Sequence, residues 1–509
     1  MNSFCNKKYL SYLSYAYLLL IAILSSYLLY HEEEKLVTIL LLSIFTFISY
    51  VVVLHISKIV FRILIILTSI VVFISYPTIE TYGPIDPNII SSLVYTNTTE
   101  AISYLKILNP ITIFKTFLVV FLIMGSLVFK YKKMDNRLII LFSSLFMYPF
   151  VKLCVYGVSW ITITNTNYLS YGRILTKSMV YYTSIISDNK NIEIIENSIK
   201  SNSWKIDAFE NKKDFYVVIL GESARRDLMH SYGFTLANTP FMSKTPGIQF
   251  DNTVSVSPST NYSTRRIFFE NQDTSDIIYS NNIISLAKNV GFKTTWISNQ
   301  NENSKAKNPI NTLEKLADVY KATGDKIGND FQILPLFQKT LQMKSDSPQL
   351  IIVHLFGSHP TSCDRTDGKY SQYYLSTDAS CYVESIKNTD LLLQRLIENL
   401  EKAGKPYSAI YLSDHGVSLN NDQYFIHSDQ YKGSYNIPLF VWDNEVKDRI
   451  HIKAQRNNKD FLILLKEIIG IKTKKEFLSE DSMPLTDEVI NMRQEKTLYS
   501  KLKLDSIIP

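Results

Sequence analysis

The chain has 509 residues, enough for more than one domain at roughly 100–200 residues each. Hydrophobic residues make up 46% and charged residues 20%, with only 16 Gly and 16 Pro, which excludes a disordered, collagen-like or linker-rich protein. A formal charge of +6 suggests a nucleic-acid binder only where basic residues cluster on one surface; they do not, and no nucleic-acid partner is expected.

From Tyr9 to Val158 five stretches approach the roughly 20 apolar residues needed to cross a bilayer, at 9–30, 36–56, 59–76, 113–130 and 138–158. The first exceeds the ~7–15-residue core of a signal peptide and lacks a clear small-residue cleavage site, so it reads as a retained anchor. Lys7 and Lys8 precede the first stretch, Lys58 and Arg62 separate the second and third, and Lys130, Lys132, Lys133 and Arg137 separate the fourth and fifth. The alternate loops carry Glu32, Glu33 and Glu34, then Glu80, Asp86 and Glu100. Because Lys and Arg mark cytoplasmic loops, the N-terminus is expected inside and everything after Val158 outside the cytoplasm.

The expected organisation is a five-helix transmembrane domain over 1–158, an interfacial connector over 159–213 and a catalytic domain over 214–509. In the connector, Asn167 to Ile186 mixes Tyr, Ile, Leu and Met with Arg173 and Lys177, which suits a helix lying on the membrane or one packed on the soluble domain. Cys5 and Cys154 fall in the cytoplasmic end and within a span. Cys363 and Cys381 fall in the exported part, where an oxidising compartment permits a disulfide.

From Asp214 short apolar runs alternate with helical periodicity. Phe215–Leu220, Phe292–Ile297, Gln349–Phe356, Ala409–Leu412 and Ile437–Trp442 read as strands, with helices around Ile284–Val290 and Thr389–Ala403. That alternation implies an α/β domain with a mainly parallel sheet covered on both faces. Ligands gather beyond the carboxyl ends of such strands. There stand Gly221-Glu222-Ser223-Ala224-Arg225-Arg226-Asp227, Gly357-Ser358-His359-Pro360, Asp414-His415-Gly416 and then His427. Carboxylates and imidazoles converging from separate strands are the donor set of a catalytic zinc. Each feature alone is more often a helix cap, a surface turn or a loop; the joint pattern carries the reading.

The Leu220–Asp227 string, Tyr232-Gly233-Phe234, Asn238-Thr239-Pro240, Ser358-His359 and Ser413-Asp414-His415-Gly416 together resemble the phosphoethanolamine transferases. These are bacterial inner-membrane, multi-pass enzymes of the alkaline phosphatase superfamily with a periplasmic catalytic domain. The resemblance implies a Zn2+ cofactor and a threonine nucleophile, matched here by Thr260, with Glu222, Asp414 and His415 completing the metal site. Ser259 and Thr264 are alternatives for the nucleophile's position. It also places His359 and His427 near the phosphate and ethanolamine as catalytic and substrate-binding groups, and Asn299 and Lys305 near the donor phosphate. His354, inside a strand, reads as a core histidine. Where members of the family carry a cysteine pair flanking the nucleophile, Val256 and Arg266 stand, so packing or Arg265 and Arg266 must hold that loop.

The implied reaction passes phosphoethanolamine from phosphatidylethanolamine to threonine and then to an acidic envelope acceptor. Lipopolysaccharide, at lipid A or core, is the leading acceptor, with periplasmic glucan as another. The alternatives are a lipoteichoic-acid-type glycerophosphate transferase and a membrane-anchored sensor or scaffold with a degenerate domain. A sulfatase is disfavoured because Val256 and Thr260 flank Pro258 where formylglycine formation needs Cys or Ser and then Arg.

Overall fold

The computed structural model describes residues 2–505 except 32, 96–100, 103, 106–107, 133, 157–168, 188, 275, 301–306, 324–328, 420–424, 474–475 and 480–486. Contacts divide the chain into two units, residues 1–91 with 104–185 and residues 92–103 with 186–509.

The first unit is helical, with α1 (Asn2–Tyr30), α2 (Leu36–Ile56), α3 (Lys58–Tyr82), α4 (Pro110–Gly125) and α5 (Asn136–Tyr156). Helices suit such apolar runs because each satisfies its own backbone hydrogen bonds where no water is available. Four helices among the described residues are long and apolar enough to cross a membrane: Tyr12–Tyr30, Leu36–Ile56, Lys58–Tyr82 and Pro110–Val128. The described part of α5 adds a shorter apolar helix, Asn136–Leu145, so four of the five expected spans are met among these residues. The third helix outruns its expected end at 76. Pro77 is taken into the helix, Thr81 Oγ1 bonds the Pro77 carbonyl at 2.8 Å, and the helix stops at Gly83 with φ 88°.

The connector helix α6 (Ser170–Ser187) packs on this helical unit rather than on the soluble one. Ser170 Oγ meets Ser26 Oγ and lies 2.8 Å from Thr46 Oγ1, and Tyr30 donates to the Ser170 carbonyl at 2.6 Å. Arg173 pairs with Glu34 and Lys177 with Glu33, tying α6 to the acidic turn after α1. That acidic turn is the partner of the connector's basic residues.

The second unit is built on an eight-stranded sheet. Its strands are β1 (Phe215–Gly221), β2 (Gly247–Phe250), β3 (Lys293–Ser298), β4 (Val319–Ala322), β5 (Gln349–His354), β6 (Tyr407–Ser413), β7 (Leu439–Asp443) and β8 (Arg449–Ile452). They lie in the order β8-β2-β7-β6-β1-β5-β3-β4. The strands from β6 to β4 run parallel, β7 is antiparallel to both neighbours, and β8 is parallel to β2. The expected strand Ile437–Trp442 is broken at Pro438, which cannot donate to the ladder.

All seven residues of β1 are buried. Val217 and Ile219 face one core with Ile351, Val353, Tyr382 and Leu396, whereas Val218 and Leu220 face another with Ile352, Leu412, Phe268 and Leu465. Burial on both faces explains the unbroken apolar run. The helix α8 (Thr377–Ala403) covers the first face, starts at the Ser376 cap, and ends at Gly404 with φ 66°. It is 27 residues long and begins well before the expected Thr389, with Asp378, Glu384 and Lys387 on its less buried side.

Cys363 and Cys381 are bridged, closing a sequence separation of 18. A loop of that size corresponds to about 3 kcal/mol in the chain-entropy account. Replacing both cysteines by serine is therefore expected to lower the stability of this unit by about 3 kcal/mol, read as a lowered denaturant midpoint together with a steeper slope from the less constrained unfolded chain. An unchanged midpoint contradicts that role.

Candidate metal centre and active site

The site forms where three neighbouring strands end together. β1 lies between β5 and β6, with Leu220 opposite His354 and Gly221 opposite Ser413. Glu222 leaves β1, Asp414 and His415 leave β6, and the segment after β5 returns so that Ser358 N donates to the Glu222 carbonyl at 2.9 Å. Gly357 permits that return: φ is +54°, and a Cβ there would stand 2.7 Å from the Glu222 carbonyl oxygen. Gly416 is similarly crowded, since its Cβ would lie 2.2 Å from the Gly433 carbonyl.

Ser223 adopts a left-handed φ of 58°, a conformation costing a non-glycine residue roughly 1–3 kcal/mol. Its contacts over-determine that geometry. Ser223 N donates to Asp414 Oδ1 at 3.0 Å, Tyr382 donates to the Ser223 carbonyl at 2.6 Å, and Ser223 Oγ donates to Glu222 Oε1 at 2.8 Å.

The fourth group arrives on the other core face. Thr260 is the first residue of α7 (Thr260–Phe268). Its Oγ1 lies 3.1 and 3.2 Å from the two Glu222 oxygens and 3.1 Å from His415 Nε2. His415 Nε2 lies 3.3 Å from Glu222 Oε1 and 3.4 Å from Asp414 Oδ2. Donors about 2.0–2.1 Å from a tetrahedral zinc stand roughly 3.3 Å apart, so these separations match the edges of such a shell.

Two further features fit a cation. His415 Nδ1 bonds the Gly416 carbonyl at 2.6 Å, which requires its proton there and leaves the Nε2 lone pair turned inward. Asp414 Oδ2 is buried with no hydrogen-bond partner among the described residues. Asp414 and His415 are fully buried and Glu222 nearly so. Burial raises the Asp414 carboxyl to about 8, with the Glu222 charge adding to it. For His415, burial opposes charging, but the carboxylates of Asp414 and Glu222 outweigh it and raise the imidazole to about 9. Burial would also raise Glu222; the hydrogen bond and charge of His415 reverse this and hold it well below the usual range.

His427 joins the cluster. Its ring lies 4.8 Å from that of His415, and ligand atoms of Glu222, His415 and His427 all lie within 4.8 Å of one another. Burial, followed by the charges of His415 and His359, lowers its imidazole to about 3, so it is neutral near pH 7. His359 is next outward, 6.2 Å from His427 ring to ring and 5.1 Å from Phe356, with Nδ1 against the Pro360 carbonyl.

Asn299 follows β3 directly. Its amide is buried and used at both ends, donating to Asp330 Oδ1 at 2.6 Å and accepting from Thr323. Asp330 in turn receives Phe356 N and Gly357 N at 2.8 Å each, so Asn299 supports the turn before His359. Lys305 lies outside the described residues. His354 is buried against Trp296, and burial lowers its imidazole to about 4. Of the rival hydroxyls, Thr264 turns back to the Thr260 carbonyl at 2.6 Å, and Ser259 Oγ is buried without a partner among the described residues.

Arg266 does brace the nucleophile segment, donating to the Thr274 and Tyr262 carbonyls at 2.7 and 3.0 Å, and Arg265 reaches Asn261 at 3.1 Å. A residue that sequence reasoning missed sits beneath them. Asn458 contacts both the nucleophile segment and the Asp414 backbone, yet its surroundings, Asn457-Asn458-Lys459, read as an ordinary polar turn.

Comparison with known proteins agrees with this geometry. The Sulfatase family profile matches residues 214–466. The phosphoethanolamine transferase OpgE of Escherichia coli K12 is 30% identical over 476 residues, covering 88% of each chain. The integral membrane lipooligosaccharide phosphoethanolamine transferase A of Neisseria meningitidis shares the fold with a TM-score of 0.58 and 16% identity, over 90% of this chain and 95% of its own. The periplasmic domain of EptC from Escherichia coli, solved in complex with Zn, superposes with a TM-score of 0.52 and 18% identity, over 59% of this chain and 98% of its own. This chain belongs to the phosphoethanolamine transferase family.

Proposed function

We propose that this protein takes phosphoethanolamine from phosphatidylethanolamine onto Thr260 and passes it to an acidic envelope acceptor, lipopolysaccharide being the first choice. The observation that carries the proposal is the Thr260 hydroxyl at 3.1–3.2 Å from both a carboxylate and an imidazole, in a buried cluster with a zinc-like donor spacing. The lipooligosaccharide named for the Neisseria structure and the zinc of the EptC structure support the acceptor class and the metal. Lys and Arg around the helices put the N-terminus inside, and with the 21-residue helix α5 taken as a fifth span the catalytic unit lies in the periplasm.

Glu222, Thr260, Asp414 and His415 are the residues that would hold zinc. When bound there, zinc supplies positive charge that lowers the hydroxyl pKa and offsets charge on the transferring phosphoryl group. In the first step Thr260 Oγ1 forms a bond to phosphorus while the bond from phosphorus to the glycerol oxygen breaks. Thr260's proton passes to its hydrogen-bonded partner Glu222, which has a second carboxylate oxygen to receive it, and the leaving oxygen takes a proton as diacylglycerol departs. In the second step an acceptor oxygen displaces Thr260. His427, neutral near pH 7, is suited to accept a hydrogen bond from the acceptor hydroxyl, and His359 to supply a proton to the departing alkoxide. Thr260's place at the start of α7 adds the helix's positive end to the stabilisation of an oxyanion.

The test uses full-length protein in vesicles containing ethanolamine-labelled phosphatidylethanolamine, with lipopolysaccharide and periplasmic glucan offered separately. Label on lipopolysaccharide is the expected result. Label on glucan alone reassigns the acceptor, and transfer only of glycerophosphate from phosphatidylglycerol overturns the donor.

A further inference from the structure

We infer that Asn458 is a positioning residue for the transfer reaction, holding the nucleophile segment against the Asp414 backbone. The inference rests on the proposed roles of Thr260 and Asp414 and identifies what fixes their separation.

Asn458 is 2% exposed. Its Oδ1 accepts from Val256 N at 2.8 Å. Its Nδ2 reaches Ser263 Oγ at 2.9 Å, Ser255 Oγ at 3.2 Å and the Asp414 carbonyl at 2.9 Å. Ser255 Oγ and Ser263 Oγ reach the same carbonyl, at 2.7 and 2.5 Å. Three donor groups thus converge on one backbone oxygen, and two of them belong to the stretch that bears Thr260. Ser255 and Ser263 lie on either side of it, and Ser263 is one turn into α7.

A carbonyl oxygen has two lone pairs, so three convergent groups exceed what simple satisfaction of a buried polar atom requires. Asp414, Ser255 and Ser263 are all fully buried, so water cannot take the place of a lost member of this group. The amide therefore fixes two distances at once: the nucleophile segment to the Asp414 backbone, and through the adjoining residue to His415. Asn suits this position because only a side-chain amide offers an acceptor to Val256 N and two donors to the oxygens opposite.

Asn458→Asp separates these functions. It keeps an acceptor for Val256 N but removes both donors. Displacement of reacting groups by ~1 Å can cost on the order of 100-fold in rate. The expected result is a kcat lower by about 10–100-fold with KM within about threefold, and bound zinc still near one per chain. Ser263→Ala, which removes one group and leaves the amide, is expected to cost about 3–10-fold in kcat, and the double variant less than the product of the two. It carries the same prediction where Asn458→Asp does not fold. A kcat within twofold for both variants, with only thermal stability lowered, overturns the inference. If Thr260→Ala also retains full transfer, the fault lies with the proposed mechanism rather than with Asn458.

Discussion

Thr260→Ala is expected to lower transfer by at least ~10³-fold while the protein stays folded and still binds zinc. Among the described residues, Thr260 Oγ1 is the hydroxyl that meets both Glu222 oxygens and His415 Nε2, and neither Thr264 nor Ser259 takes its place. Thr264 Oγ1 is turned into the helix backbone at 2.6 Å from the Thr260 carbonyl. Thr260→Ser keeps the oxygen and is expected to retain activity within about tenfold, the loss arising from a freer side-chain rotamer. Losing catalysis through the nucleophile must appear in kcat more than in KM. Equal loss in the Ala and Ser variants, or a change confined to KM, contradicts the assignment.

Metal affinity is expected to be strongly pH-dependent, and Asp414→Asn to weaken it at least 100-fold. The direction follows from the two raised groups. With Asp414 near 8 and His415 near 9, both hold protons in the metal-free protein at pH 7. Zinc binding requires those protons to leave. Apparent affinity therefore climbs as pH rises from 7 through 9 and falls as pH drops below 7, with a slope of up to about two protons per metal. Glu222, held well below the usual carboxylate range, contributes nothing to that slope. Titration calorimetry in buffers of different ionisation heat measures the released protons directly. Affinity that is flat from pH 7 to 9 contradicts the cluster as the metal site.

The parts of the fold carried by local pattern were legible in the sequence. Apolar runs such as Val217–Leu220 and Ile351–Val353 mark buried parallel strands, because both faces of each are covered. The edge strands β4 and β8, and β2 between β8 and β7, were not legible, since each has only four residues and the two edges are only partly buried. The extent of α3 was hidden by Pro77, which ordinarily signals an end, and the start of α8 by its polar first turns. At the site, Glu222, Thr260, Asp414 and His415 stand at strand and helix ends within motifs, and the structure brings them together. Asn299 has the right position after a strand but spends its amide on Asp330 and Thr323. Asn458 is the converse case. Its importance depends on contacts with residues 195 and 203 positions away, and no local pattern encodes them.

The central claim is a phosphoethanolamine ester on Thr260. Intact mass spectrometry with peptide mapping, after purified full-length protein is incubated with zinc and phosphatidylethanolamine without acceptor, measures it directly. The account predicts one phosphoethanolamine adduct per chain, located on Thr260 and absent from Thr260→Ala. Zinc-loaded, folded protein with no adduct while transfer proceeds would contradict it, as would an adduct on any other residue.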